Sequence, residues 1–225
     1  MSAADPMKVG SVVPPSVWQG QPFWQPITEY APGQSPYRVK GLVYRNTLAD
    51  IDAATREKIL DDIEDAAMRA FFRQPFLAGT MVDVLPHAYL LSRVAQELGT
   101  TPSRYAAERA AAQARDQLSG VYRFLLKLAR PGTVGRFLPK VTEKYFDFGT
   151  VSVEGPKGGP LTALRSGVPL AIAKWYVAVS NPFVEAAMEL AGAVDPSHRV
   201  RQLTWDAPDA RGLPRVTIHY AVRWS

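Results

Sequence analysis

The sequence predicts an α+β fold in which an N-terminal helical layer is followed by a ββαββ unit forming an antiparallel sheet. Two patterns carry that prediction. Through the first two thirds, apolar residues recur at helical spacing, as at Ile59, Ile63, Ala67 and Phe71. In the last third the period falls to two, most cleanly where Val216, Ile218, Tyr220, Val222 and Trp224 alternate with Thr217, His219, Ala221 and Arg223. A third observation sets the start of the chain apart. Residues 1–37 hold seven prolines, which exclude a helix longer than a turn or two, yet they also carry Trp18, Phe23, Trp24, Tyr30 and Tyr37. The chain therefore divides into a proline- and aromatic-rich arm, residues 1–37, and a single α+β domain, residues 38–225.

The elements follow in order. VKGLVY, Val39 to Tyr44, reads as a short strand. A helix spans about Ala53 to Arg73, with Asp52 placed to cap it. FLAGTMVDVLPHAY is ambiguous between strand and helix until Pro86, which opens a helix ending at Gly99. Thr101-Pro102 supplies an N-cap with proline at the first helical position, and that helix runs to about Ala129, where Pro131-Gly132 breaks it. RFLPKVTEKYFDFG, Arg136 to Gly149, reads as a helix stopped by Gly149, with Phe137, Val141, Tyr145 and Phe148 as its inward stripe. Strands around Thr150–Glu154 and Pro160–Arg165 flank a glycine-rich hairpin turn, GPKGGP. A helix from about Leu170 to Ala191 and strands near Val200–Trp205 and Arg215–Trp224 complete the unit.

Composition excludes several functions. The 225 residues are 47% hydrophobic and 21% charged, a globular balance. The absence of cysteine removes disulfides, thiolate metal sites and cysteine nucleophiles together. The start lacks a basic segment followed by an apolar run, and VPLAIAKWYVAV is far too short to span a bilayer. A cytoplasmic protein without membrane contact is the expectation. A net charge of +5 permits contact with an anion without demanding it.

Motifs for catalysis are missing. The three histidines, His87, His198 and His219, lie far apart, and none has an acidic or histidine partner three or four residues on. A lone haem ligand at His87 is conceivable on chemistry alone, but no cofactor is expected. There is no G-x-S-x-G elbow, Walker loop or dinucleotide fingerprint. The acidic run Asp61, Asp62, Glu64, Asp65 reads as a solvated face. VAQELGTTPSRYAAER, residues 94–109, imitates a helix-turn-helix, with Arg104 and Arg109 free to meet phosphates. Thr100 and Glu108 stand where apolar anchors belong, however. From Arg104 to Lys144, nine basic residues face three acidic ones, so Arg104, Arg109 and Arg123 remain candidate anion contacts.

Leu138-Pro139, followed after a helical turn or two by Phe148-Gly149 ahead of a strand, resembles a large paralogous family of myxobacterial proteins of unknown function. Gly41 to Tyr44, the helix around Pro182 to Leu190 and the terminal Tyr220-Ala-Val-Arg-Trp224 agree with it, so the resemblance spans residues 40–225. Thr142 departs from the pattern, which places a tyrosine soon after the Leu-Pro pair. In layout that family is similar to haem-nitric-oxide and 4-vinyl-reductase-like sensor domains. The resemblance implies a pocket between helices and sheet and carries no catalytic residue.

The leading expectation is a non-enzymatic sensor or adaptor that binds an apolar small molecule or a protein partner between helices and sheet. Tyr89, Tyr122, Tyr145, Phe146, Trp175 and Tyr176 are its candidate lining residues, as large side chains on the elements that face that groove. The alternative is a self-assembling protein whose arm, through Trp18, Phe23, Trp24 and Tyr30, docks on a neighbouring subunit to form a homo-oligomer. The same aromatics also suit an arm lying across its own domain. DNA binding through residues 94–109 ranks third.

Overall fold

The computed structural model describes residues 7–117, 131–156 and 159–225. The alternating last third forms a four-stranded antiparallel sheet ordered β3-β4-β6-β5, from β3 (Thr150–Glu154), β4 (Leu161–Pro169), β5 (Ser197–Asp206) and β6 (Arg215–Arg223). The period-two pattern of β6 sends Val216, Ile218, Tyr220 and Val222 inward, all buried. On β4, Leu161, Ala163 and Arg165 share the inner face. A short 3-10 turn, Leu170–Ile172, leads into the long helix Ala173–Leu190, which buries Trp175, Tyr176, Val184, Ala187 and Met188.

The helical layer comprises α1 (Pro15–Gln19), α2 (Leu42–Ala49), α3 (Ala53–Asp61), α4 (Ala66–Arg73), α5 (His87–Glu97), α6 (Pro102–Gln117) and α7 (Pro131–Tyr145), with Ala173–Leu190 as α8. A two-stranded ribbon, β1 (Arg38–Lys40) with β2 (Met81–Asp83), joins it at the edge. The α+β architecture matches the sequence reading, but four local expectations are corrected.

The strand expected over Val39–Tyr44 ends at Lys40, and Leu42 already belongs to α2. Gly41 makes that turn possible, because a side chain there would collide with the Leu77 carbonyl. The single helix expected over Ala53–Arg73 is two. Asp65 restarts it as α4 by accepting from the Ala67 and Met68 amides at 2.8 and 3.1 Å, while Asp52 caps α3 as read, accepting from Thr55 N at 2.8 Å. Pro131 does not merely end a helix; it stands at the first position of α7, where its missing N–H costs nothing. The inward stripe on α7 loses one member. Phe137 is 50% exposed, with Lys140 Nζ over its ring at 5.6 Å, whereas Val141 and Tyr145 face the cavity and Phe148 is buried as read. Val134 is buried in its place, beside Gly135, on which the Leu161 side chain packs so closely that a Cβ there would displace it. The expected end of the Thr101 helix lies outside the described residues.

The arm lies along its own chain. Residues 10–13 extend the sheet past β5: Gly10 N donates to Trp205 O at 2.8 Å, Trp205 N to Ser11 O at 2.9 Å and Val13 N to Leu203 O at 2.8 Å. Trp24 meets Tyr89 edge-on at 4.7 Å, and Trp18 and Phe23 pack against the core. Lys174 Nζ donates to the carbonyls of Gln19 and Gln21. The phenols of Tyr30 and Tyr37 both donate to Asp209 Oδ2, at 2.7 and 2.8 Å, while Asp209 Oδ1 accepts from the amides of Arg211 and Leu213 at 2.9 Å.

These four hydrogen bonds hold the Asp209 carboxyl below its ordinary pKa, against the partial burial that would raise it. Asp209→Ala should therefore lower stability by about 2–3 kcal/mol in urea unfolding, since it strands two phenolic donors. The sign of the pH dependence follows from the depressed folded-state value. The contribution is complete above the unfolded carboxylate pKa near 4, and it is lost as pH falls through the lower folded value.

Candidate functional site

The inner face of the sheet and the helices do not close completely where α2, α5, α6, α7 and α8 meet β3, β4 and β6. A cavity of about 130 Å³ remains, lined by side chains such as Ala106, Ala110, Val141, Val151, Ala163 and Val184. Its aromatic walls are Tyr145, Phe146, Trp175, Tyr176, Phe183 and Tyr220. Four of the six lining residues nominated from sequence, Tyr145, Phe146, Trp175 and Tyr176, thus reach it. Tyr89 does not: it stacks on Phe72 at 6.0 Å and meets Trp24, beneath the arm on the other side of the helical layer. Tyr122 lies outside the described residues.

Sequence reasoning missed the polar members. Arg165 is 2% exposed and enters from β4. Its Nη2 donates to Phe148 O at 2.6 Å, whereas its Nε and Nη1 are buried with no hydrogen-bond partner among the described residues. Three rings surround the guanidinium, with centroids 5.8, 4.9 and 5.3 Å from Cζ for Phe146, Phe148 and Tyr176. None of the ion pairs among the described residues includes Arg165. A signal for it existed: the alternation of LTALR puts a cation on the same strand face as Leu161 and Ala163.

The backbone must come close to seat that cation. Gly149 (φ +62°) and Gly167 (φ +70°) face each other across the β3–β4 ladder, the Cα of Gly149 only 3.0 Å from where a Cβ of Gly167 would sit. A Cβ on Gly149 would stand 2.6 Å from Arg165 Nη1 and collide with the Ser166 carbonyl.

Two histidines line the cavity. Thr47 Oγ1 donates to Val43 O at 3.0 Å, so the 3.0 Å contact between Thr47 Oγ1 and His87 Nε2 requires the imidazole to donate there, and Nδ1 is left without a partner. His198 places Nδ1 at 2.9 Å from Asn181 Oδ1 and stacks on Tyr220 at 4.1 Å. Burial lowers both to about 3, so both rings are neutral at physiological pH. Burial raises the Tyr176 phenol, opposed by Arg165, and raises Tyr220 well above its ordinary value. Both phenols are therefore neutral hydroxyls.

Of the candidate anion contacts, Arg109 lines the cavity but is already paired, and Arg104 is engaged away from it. Arg104 Nε is paired with Glu108 at 2.7 Å, one helical turn on, and Arg109 with Asp50, which also accepts from Tyr105 at 2.6 Å. Arg123 lies outside the described residues. No group of three or more His, Asp or Glu among the described residues is placed to hold a metal ion.

The arrangement of helices and sheet recurs in solved structures. An Fe(II) unliganded H-NOX protein from K. algicida matches with a TM-score of 0.54 over 83% of this chain and 96% of its own, at 12% identity. An oxygen-binding H-NOX domain related to soluble guanylate cyclases matches at 0.53 over 83% and 95%, at 8% identity. A structure from a study of heme distortion in the H-NOX family matches at 0.53 over 82% and 92%, at 7% identity. The chain has an H-NOX-like fold. No family model matches the sequence, and no curated protein matches it significantly.

Gly149→Ala tests the close approach. A left-handed backbone costs about 1–2 kcal/mol for a residue with a Cβ, and the collision with Ser166 adds to it. Thermal unfolding should show a loss of more than about 2 kcal/mol, whereas Phe137→Ser, on the exposed side of α7, should change stability by no more than about 0.5 kcal/mol.

Proposed function

We propose that this chain is a non-enzymatic ligand sensor that binds a small, largely apolar molecule between its helical layer and its sheet. The observation that carries the reading is the cavity itself: walled by aromatic and aliphatic side chains, and furnished with a few buried polar groups that orient rather than react. The H-NOX-like fold supports a sensing role by analogy of architecture. Besides the guanidinium groups of Arg109 and Arg165, the ionisable groups of the wall are neutral imidazoles and protonated phenols, and none of these stands beside an activating base or nucleophile.

The similar structures include an Fe(II) H-NOX protein, an oxygen complex and one from a study of heme distortion, so haem is the first ligand the residues must be tested against. They do not fit it. The volume of about 130 Å³ is close to the roughly 150 Å³ of an engineered cavity that holds benzene, enough for one aromatic ring and not for a porphyrin. The one ring nitrogen of His87 that lacks a partner belongs to an imidazole wedged edge-on between Tyr44 at 4.7 Å and Trp175 at 5.4 Å. His198 already spends Nδ1 on Asn181.

The other readings have less support. The aromatics that would dock the arm on a neighbouring subunit are packed in cis, so assembly through them requires the arm to leave its own domain at the cost of those contacts. Recognition of DNA through Arg104 and Arg109 would require breaking their pairs with Glu108 and Asp50. No helix among the described residues is long and apolar enough to cross a membrane, and a cytoplasmic setting remains part of the proposal.

Fluorobenzene observed by fluorine NMR provides the test. Its line should broaden with added protein and recover in Ala110→Phe, which fills the cavity from α6 while the circular dichroism spectrum is retained. A line that the wild-type protein leaves untouched contradicts the reading.

A further inference from the structure

We infer that the ligand carries a negative charge: the cavity takes a small monocarboxylic acid, its apolar body against the aromatic walls and its carboxylate on Arg165. The inference rests on the sensor reading and names the ligand class within it. Its basis is a charge the protein leaves unanswered. Arg165 is 2% exposed, and among the described residues two of its three guanidinium nitrogens lack a hydrogen-bond partner and no carboxylate pairs with it, the neutral Tyr176 hydroxyl being the polar side chain that acts on it. Burying a cation in this way costs several kcal/mol, which a single carbonyl and ring faces offset only in part.

The same chain shows how it treats a buried charge that needs no ligand. Asp83, also 2% exposed, accepts from the amides of Gly33, Ser35 and Leu85 at 2.9, 3.1 and 2.9 Å and from the Ser35 hydroxyl at 2.5 Å. Every site on that carboxylate is occupied. Arg165 differs because its missing partners border an open space.

The surroundings select the sign and the shape of what enters. Tyr176 and Tyr220 are held protonated by burial, so beside Arg165 they are neutral hydroxyls and cannot serve as counter-ions. Thr142 of α7 and Ser180 of α8 line the same cavity, with Ser180 Oγ 3.3 Å from the Tyr220 hydroxyl. An inorganic anion would satisfy this end and leave the aliphatic walls of Ala106, Ala110 and Val184 unfilled. A neutral hydrocarbon would fill the walls and leave the guanidinium bare. One aromatic ring or a short alkyl chain bearing a carboxylate answers both, with the planar fork of the guanidinium suited to its two oxygens.

The experiment compares 4-fluorobenzoate with 4-fluorotoluene, matched in body and different in charge, by fluorine NMR titration at neutral pH. Wild-type protein should bind the acid at least about tenfold more tightly, as a hydrogen-bonded charge pair implies. Arg165→Met keeps the length and removes the charge. It should abolish the preference while 4-fluorotoluene binds within about twofold of wild type, the change being confined to the charged end. Should that variant fail to fold by circular dichroism, Arg165→Lys retains the charge without the fork and should keep a reduced preference. Equal wild-type affinity for the two probes overturns the inference and leaves the sensor reading standing. A preference for the acid that survives in Arg165→Met overturns the assignment to this residue. Binding of neither probe overturns both.

Discussion

An unpaired guanidinium at the seam between helices and sheet is the constraint around which the cavity is organised. Arg165 stands on the inner face of β4, its charge faced by Phe146 and Phe148 from the segment between α7 and β3 and by Tyr176 from α8. Its one satisfied nitrogen, donating to Phe148 O, ties that segment to the sheet. Ring quadrupoles stabilise a cation without neutralising it, so the site is aromatic where another protein would place a carboxylate. The glycines at 149 and 167 belong to the same arrangement, because only a backbone without Cβ atoms lets the β3–β4 ladder approach so near the guanidinium.

The opposite side of the domain is held by ordinary means. The arm extends the sheet past β5, and its phenols converge on Asp209 in the turn before β6. Prolines limit what the arm loses in conformational entropy on docking, and aromatic burial supplies the gain. The arm thereby covers one sheet edge and the outer face of the helical layer around Tyr89, and the cavity lies away from it. The arm and the cavity are thus built from separate sets of residues.

Much of this was legible in the sequence because it rests on period. The alternation of β6 and the glycine-flanked strands before it define the sheet, and the long apolar run after Leu170 becomes α8 with Trp175 and Tyr176 turned inward. What escaped depends on contacts across the chain. Gly41 turns a strand into a helix because of the Leu77 carbonyl, and Val134 takes the inward place expected of Phe137, beside Gly135 where Leu161 packs on the backbone. Neither neighbour is near in sequence. Among the site residues, large aromatics were chosen by size and element, which found four of the cavity walls and also chose Tyr89, whose side chain serves the arm. Arg165 was written in the strand pattern all along, as a charge in phase with Leu161 and Ala163, and a search for known motifs passes over such a residue.

The central claim is that Arg165 is charged, buried and waiting for an anion. The most direct measurement is the Nε–H resonance of Arg165 in nitrogen-15-labelled protein, assigned by its loss in Arg165→Met, and followed as benzoate is added. The account predicts an Nε–H that exchanges slowly with water and shifts on saturation with benzoate, while toluene leaves it in place. An Nε–H that exchanges as fast as that of a surface arginine, or one that benzoate does not move, would contradict it.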